Sequence, residues 1–156
     1  MTTPEARLAA LGITLPPAPR PAANYVPSVR SGRLLFVSGQ GPMRGTEVVW
    51  RGRVGAELTE AQGYDAARLT ILNVLAIVRD AVGTLDAVHR VVKLLVFVRC
   101  AEGFQRPFIV ANGASDLLVE IFGERGRHAR SAVSAPELPL GIAVEIEAIF
   151  EVDDAG

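Results

Sequence analysis

A single cysteine, Cys100, excludes an internal disulfide and fits a reducing compartment. Two histidines, His89 and His128, fall in no spacing with cysteine or paired carboxylates that a zinc site uses, so no metal is expected. Neither G-x-x-x-x-G-K-S/T nor G-x-G-x-x-G occurs, so nothing supports the cradling of a nucleotide phosphate. The Gly-x-Ser-x-Gly elbow of serine hydrolases is missing too. Chemistry without a metal or an enzyme nucleophile is therefore favoured. Long apolar runs are absent: Leu94 to Val98 is far too short to cross a bilayer. No apolar run follows basic residues near the N-terminus, so no signal peptide is expected and the cytoplasm is the default compartment. A formal net charge of −1 gives no electrostatic reason to expect nucleic acid.

What is present describes one folded domain. With 156 residues, 49% of them hydrophobic and 21% charged, the chain can bury a real core. Residues 1–24 read as an extension: a short helix with Thr3 as cap and Pro4 at its first position, then Pro16, Pro17, Pro19 and Pro21 in an extended run. A single domain is expected over residues 25–152. Tyr25 to Arg30 and Arg33 to Ser38 read as a hairpin across Ser31-Gly32. Val48 to Trp50 is a candidate short strand. Thr59-Glu60-Ala61-Gln62 fits a capping box, and Tyr64, Ala67, Ile71, Leu75, Val78 and Val82 recur at helical spacing up to Gly83. Ala87 to Val98 reads as a buried strand, and Pro107 to Phe122 as a second helix stopped by Gly123.

The tail carries the chemistry. Val144, Ile146 and Ala148 alternate with Glu145 and Glu147, so this strand presents its two carboxylates on one face. Arg130 opens a shorter apolar run, and a Pro-containing turn around Leu138 to Gly141 suggests that the two strands pair antiparallel. That pairing would bring a guanidinium beside a carboxylate, a pair suited to holding an anionic substrate and activating water against it. The alternative is a structural ion pair between Arg130 and Glu145 or Glu147. The resulting order β-β-α-β-α-β-β suggests an α+β domain with both helices on one face of a mixed sheet.

Several stretches together resemble the RidA (YjgF-type, endoribonuclease L-PSP) family. They are Tyr25, Leu35-Phe36-Val37-Ser38-Gly39-Gln40, the helix containing Asn73, Val91 to Val98, and the tail from Arg130-Ser131 to Glu145-Ile146-Glu147-Ala148. The resemblance implies a chorismate-mutase-like fold and a homotrimer with clefts between subunits. It further implies hydrolysis of carboxylate-bearing enamines and imines to keto acids and ammonia, with no cofactor. By position, Arg130 would grip the substrate carboxylate with help from Ser38 and the backbone N–H of Gly39. Glu145 would activate the water, and Tyr25 would order it. Asn112 matches an asparagine that shorter members place before their second helix.

The chain departs from that pattern in places. Ala132 stands at a position often held by cysteine, Ser134 where an acidic residue is common, and Gly41 where a bulky residue follows the turn. The segment between Val98 and Arg130 is longer, which marks a divergent subgroup of longer chains. A non-catalytic module that binds small carboxylates is therefore the alternative, and a ribonuclease or translation-inhibitor role ranks third. Asn73 and Asn112 have the plainer reading of helix hydrogen-bonding residues. Arg125, Arg127 and His128 read as a solvated loop, Cys100 as a small buried residue, and Trp50 as a candidate for a subunit interface.

Overall fold

The computed structural model describes residues 2–154. Its elements run α1 (Pro4–Ala10), β1 (Ser28–Ser31), β2 (Leu34–Gln40), β3 (Met43–Arg44), β4 (Glu47–Val48), α2 (Glu60–Val82), β5 (Val88–Arg99), α3 (Pro107–Val110), α4 (Asn112–Phe122), β6 (Ala129–Ala135) and β7 (Val144–Val152). The main sheet has the order β1-β2-β7-β5-β6; β3 and β4 form a separate two-stranded ribbon. This is the expected α+β, chorismate-mutase-like arrangement with a mixed sheet.

Local chemistry explains the elements. The Thr59 hydroxyl accepts from Gln62 N–H and the Gln62 side chain accepts from Thr59 N–H, closing both ends of the capping box that starts α2. Asn73, buried within α2, donates to the carbonyls of Gly41 and Met43, so it anchors the β3–β4 ribbon. The hairpin turns one residue later than expected, at Gly32-Arg33, with Ser31 opposite Leu34. The second helix is split at Ala111 into α3 and α4. Gly113 explains how closely α4 lies on α2: a Cβ there would sit 2.0 Å from the Tyr64 carbonyl oxygen. The N-terminal helix docks on the domain, with Leu8 buried and Glu5 bonded to Arg79 of α2 and to Leu85 N–H.

One expectation is corrected. The strand that starts near Arg130 does not pair with β7. β6 runs parallel to β5, with Leu94 opposite Arg130, and β5 lies between β6 and β7. At its end Arg99 N–H donates to Ala143 O and Cys100 N–H to Ala135 O, so β5 separates the two strands where a hairpin would have joined them. The physical reason is the crossover through α3 and α4, which returns the chain parallel to β5. The Pro139–Gly141 turn then carries the chain past the end of β5.

The core lies between the sheet and the helices, with Val37, Leu94, Val96, Val144, Ile146 and Phe150 turned toward α2 and α4. The opposite sheet face is apolar and uncovered in the single chain: Val29, Leu34, Phe36 and Val133 are exposed, and Leu95, Phe97 and Ile149 half-buried. Thus β5, expected as a buried strand, buries only one face.

Candidate functional site

Arg130 sits in register with the buried Leu94, so the pleat turns its side chain toward the helices. Three N–H groups of its guanidinium are used within the chain. Nη1 donates to Asn112 Oδ1 at 2.9 Å and to Ser115 Oγ at 3.0 Å, and Nη2 donates to the Phe108 carbonyl at 2.9 Å. A guanidinium has five donors, so Nε–H and the second Nη2–H are left for another acceptor. All three partners are neutral. The chain's close arginine–carboxylate pairs form elsewhere, at Arg53–Glu57, Arg79–Glu5, Arg99–Glu137 and Arg106–Glu60. The ion pair between Arg130 and Glu145 or Glu147 is therefore not the role of this arginine. Burial lowers its pKa, while the charge of Asp116 acts in the opposite direction. A half-buried cation with no carboxylate in direct contact among the described residues and two N–H groups unused has the chemistry to accept an anion.

Two local features hold that guanidinium. Asn112 and Ser115 lie three residues apart on α4 and so share a face. His128, expected in a solvated loop, is instead half-buried: Nδ1 contacts the Gly126 carbonyl at 2.7 Å and Nε2 the Ser115 hydroxyl at 2.9 Å. Neither Ser115 nor His128 was singled out from sequence as part of a site. A signal existed, because His128 stands two residues before Arg130 and strand alternation puts both on one face. Arg125 and Arg127 are exposed, as expected.

Glu145 occupies the other face of the sheet. It is paired with Phe97, is half-buried, and has no hydrogen-bond or ion-pair partner among the described residues. Burial, reinforced by the charge of Glu147, raises its pKa. Its carboxylate lies against β2 where the register slips between Val37, opposite Ala148, and Gln40, opposite Ile146. Ser38 and Gly39 form that bulge, a device that commonly re-aims groups beside a site. A Cβ on Gly39 would stand 2.8 Å from Glu145 Oε2, so only glycine leaves the carboxylate its place. Ser38 donates its hydroxyl to Val26 O and its N–H to Pro27 O, which fixes the segment beside Tyr25 at the same bulge. The Tyr25 ring is exposed, and its hydroxyl accepts from Ala22 N–H at 3.4 Å.

The predicted site residues thus fall into two groups. Arg130 and Asn112 are together on the helix side; Glu145, Gly39 and Ser38 gather at the bulge, where Ser38 ties down Val26 and Pro27, the residues that follow Tyr25. Arg130 and Glu145 point to opposite faces of one sheet with β5 between them. Cys100 is buried, and burial raises its thiol pKa, which suits an inert residue. Among the described residues no group of three or more His, Cys, Asp or Glu could hold a metal ion, and no helix is long and apolar enough to cross a membrane.

Comparison with known proteins agrees with this architecture. Residues 5–151 match the family described as YjgF/chorismate mutase-like, whose description also carries an endoribonuclease label. Protein TCP17 of Trypanosoma cruzi is 49% identical over 96% of this chain and 94% of its own. The crystal structure of Atu1372, a protein of unknown function from Agrobacterium tumefaciens, is 46% identical, with a TM-score of 0.89 over 96% of this chain and 92% of that one. The structure of Escherichia coli TdcF with bound serine is 30% identical, with a TM-score of 0.61 over 86% of this chain and 92% of that one. The chain belongs to the YjgF/RidA family.

Proposed function

We propose that the protein hydrolyses carboxylate-bearing enamines and imines to keto acids and ammonia, in clefts completed between copies of the chain. The observation that carries this reading is the half-buried Arg130 guanidinium, held by neutral partners with two N–H groups unused. A substrate carboxylate supplies the missing acceptor, and the Gly39 N–H offers a further contact. Water adds to the C=N carbon of a protonated imine while Glu145 takes a proton from that water. The carbinolamine then collapses as the proton returns to nitrogen, so C=NH2+ and H2O become C=O and NH4+. A carboxylate whose pKa burial has raised is the better base for this step. Tyr25, on the same rim, orders the water.

Two features support assembly. Arg130 and Glu145 face opposite sides of the sheet, so a second chain must bring its bulge to the Arg130 face of the first. The uncovered apolar sheet face, with Val29, Phe36 and Val133 exposed, gives copies a reason to associate, and three copies would satisfy the family pattern. That TdcF binds serine supports a small carboxylate-bearing ligand here. The cytoplasm, where such intermediates arise, is the compartment that fits. No element of the reading requires nucleic acid or a membrane.

Incubation with enzymatically generated 2-aminoacrylate, following keto-acid release, tests the reaction. Release above the buffer control is expected. Release equal to the control, with keto-acid binding still seen by calorimetry, would leave a non-catalytic carboxylate-binding module. The Glu145 carboxylate, which no partner among the described residues restrains, is the observation that favours this second reading. Sedimentation at micromolar concentration should show a trimer; a monomer would remove the inter-subunit cleft.

A further inference from the structure

His128, Ser115 and Arg130 form a chain of hydrogen bonds with one consistent set of donors. The Gly126 carbonyl can only accept, so His128 Nδ1 carries the ring hydrogen. In the neutral ring Nε2 then accepts the Ser115 hydroxyl hydrogen. Ser115 Oγ is thereby turned to accept Arg130 Nη1–H. Every group in the chain is satisfied, and the plane of the guanidinium is set by Asn112, Ser115 and the Phe108 carbonyl together. We infer that Ser115 and His128 are positioning residues of the Arg130 anion seat, and that anion binding at Arg130 is coupled to protonation of His128. This rests on the reading of Arg130 as the carboxylate grip.

The coupling follows from the charges around the ring. Arg127 and Arg130 line the same open groove as His128, together with Asn112, Ser115 and Val119. The nearby acids are engaged: Asp116 accepts from the Tyr64 hydroxyl, and Glu124 pairs with Arg127. Burial disfavours the imidazolium, the Gly126 hydrogen bond favours it, and Arg130 disfavours it again. A bound carboxylate removes the repulsion between the two cations. On protonation Nε2–H donates to Ser115 Oγ, which still accepts from Arg130 through its other lone pair. The serine hydrogen is released toward the groove, where a carboxylate can accept it. Affinity for an anion should therefore rise as pH falls through the His128 pKa.

Calorimetry with pyruvate on the whole protein tests this, in a Glu145→Gln background so that Glu145 does not titrate. Between about pH 8 and about pH 5.5, affinity should rise roughly fivefold, while pyruvate and arginine keep their charges. His128→Gln preserves an acceptor for Ser115 without titrating, so affinity at pH 8 should stay within about twofold and the pH dependence should vanish. Ser115→Ala and His128→Leu should each weaken binding at pH 8 by about five- to tenfold, the loss expected when a buried hydrogen-bonding group is left without its partner. A His128→Gln protein that keeps the full pH dependence overturns the coupling. Ser115→Ala binding as tightly as the parent overturns the positioning role. Should His128→Leu fail to fold, Ser115→Ala and His128→Gln still decide both. If Arg130→Ala binds pyruvate normally in the same series, the carboxylate-grip reading itself fails, an outcome distinct from the other two.

Discussion

The two halves of the candidate site are built by opposite means. Arg130 is tied through three hydrogen bonds to α3 and α4, and one of its partners, Ser115, is itself held by His128. Glu145 has no hydrogen-bond partner among the described residues and is placed by the fit of its carboxylate against the Gly39 bulge. The difference matches what the two proposed roles require. An anion grip works best when its donors are aimed before the ligand arrives, because alignment then does not oppose binding. A base must change protonation during the reaction, and strong donors on its carboxylate would lower its pKa and weaken it. Rigidity on one side and bare burial on the other are thus consistent with grip and base, placed on separate faces.

Breaking the rigid half should have the larger effect on binding. Arg130→Ala removes the charge and both unused donors, and should weaken keto-acid binding by about a hundredfold or more, since charge-assisted hydrogen bonds contribute roughly 1.5–3 kcal/mol each. Calorimetry measures it directly, and unchanged affinity would remove Arg130 from the site. Lysine should rescue little, because a point charge cannot reproduce the fork bound to Asn112, Ser115 and Phe108.

The bare half should separate binding from turnover. Glu145→Gln should keep keto-acid affinity within a few-fold yet slow hydrolysis by about 10²–10⁴, the usual contribution of a general base. In the proposed role Glu145 works deprotonated, and burial raises its pKa. The acid limb of kcat/KM should therefore lie above the ordinary glutamate range and disappear in the variant. An acid limb that survives in Glu145→Gln would assign the titration to another group.

How far the sequence foretold this arrangement depends on the range of the interaction. The capping box at Thr59, the alternation of Val144 to Ala148 and the stop at Gly83 are set by neighbours a few residues apart, and they appear as read. The pairing of the Arg130 strand with β7 was misread, because a proline-containing connection looks alike whether it joins neighbouring strands or passes the end of a third. The Arg130 helix face and the Glu145 bulge depend on that topology, so the separation of Arg130 from Glu145 was invisible locally. His128 was missed for the same reason. Its environment is made by Ser115 and the Gly126 carbonyl, and a basic neighbourhood in the sequence suggested only solvent.

Subtler changes sharpen the contrast between aimed donors and placed base. Gly39→Ala puts a methyl 2.8 Å from Glu145 Oε2 and must push the carboxylate aside. Because side-chain placement rather than an ion pair is disturbed, turnover should fall about tenfold or more, as small misplacements at reacting groups do, with carboxylate affinity little changed. Equal turnover in steady-state assays would mean that Glu145 is not held by this packing.

The smallest expected effect tests whether the rigid half is shared among several partners. Asn112→Ala removes one of three acceptors on Arg130 and leaves Ser115 and the Phe108 carbonyl in place. The guanidinium keeps its plane but gains freedom, and Nη1 turns one donor toward water. Keto-acid affinity should fall by only about three- to fivefold, within the net contribution of a single hydrogen bond. Combining it with Ser115→Ala should weaken binding by more than the product of the separate effects, because the second loss removes the last side chain that orients Nη1. A merely multiplicative double mutant, measured by calorimetry, would show that the three acceptors act independently and that Arg130 is held chiefly by the packing of its strand.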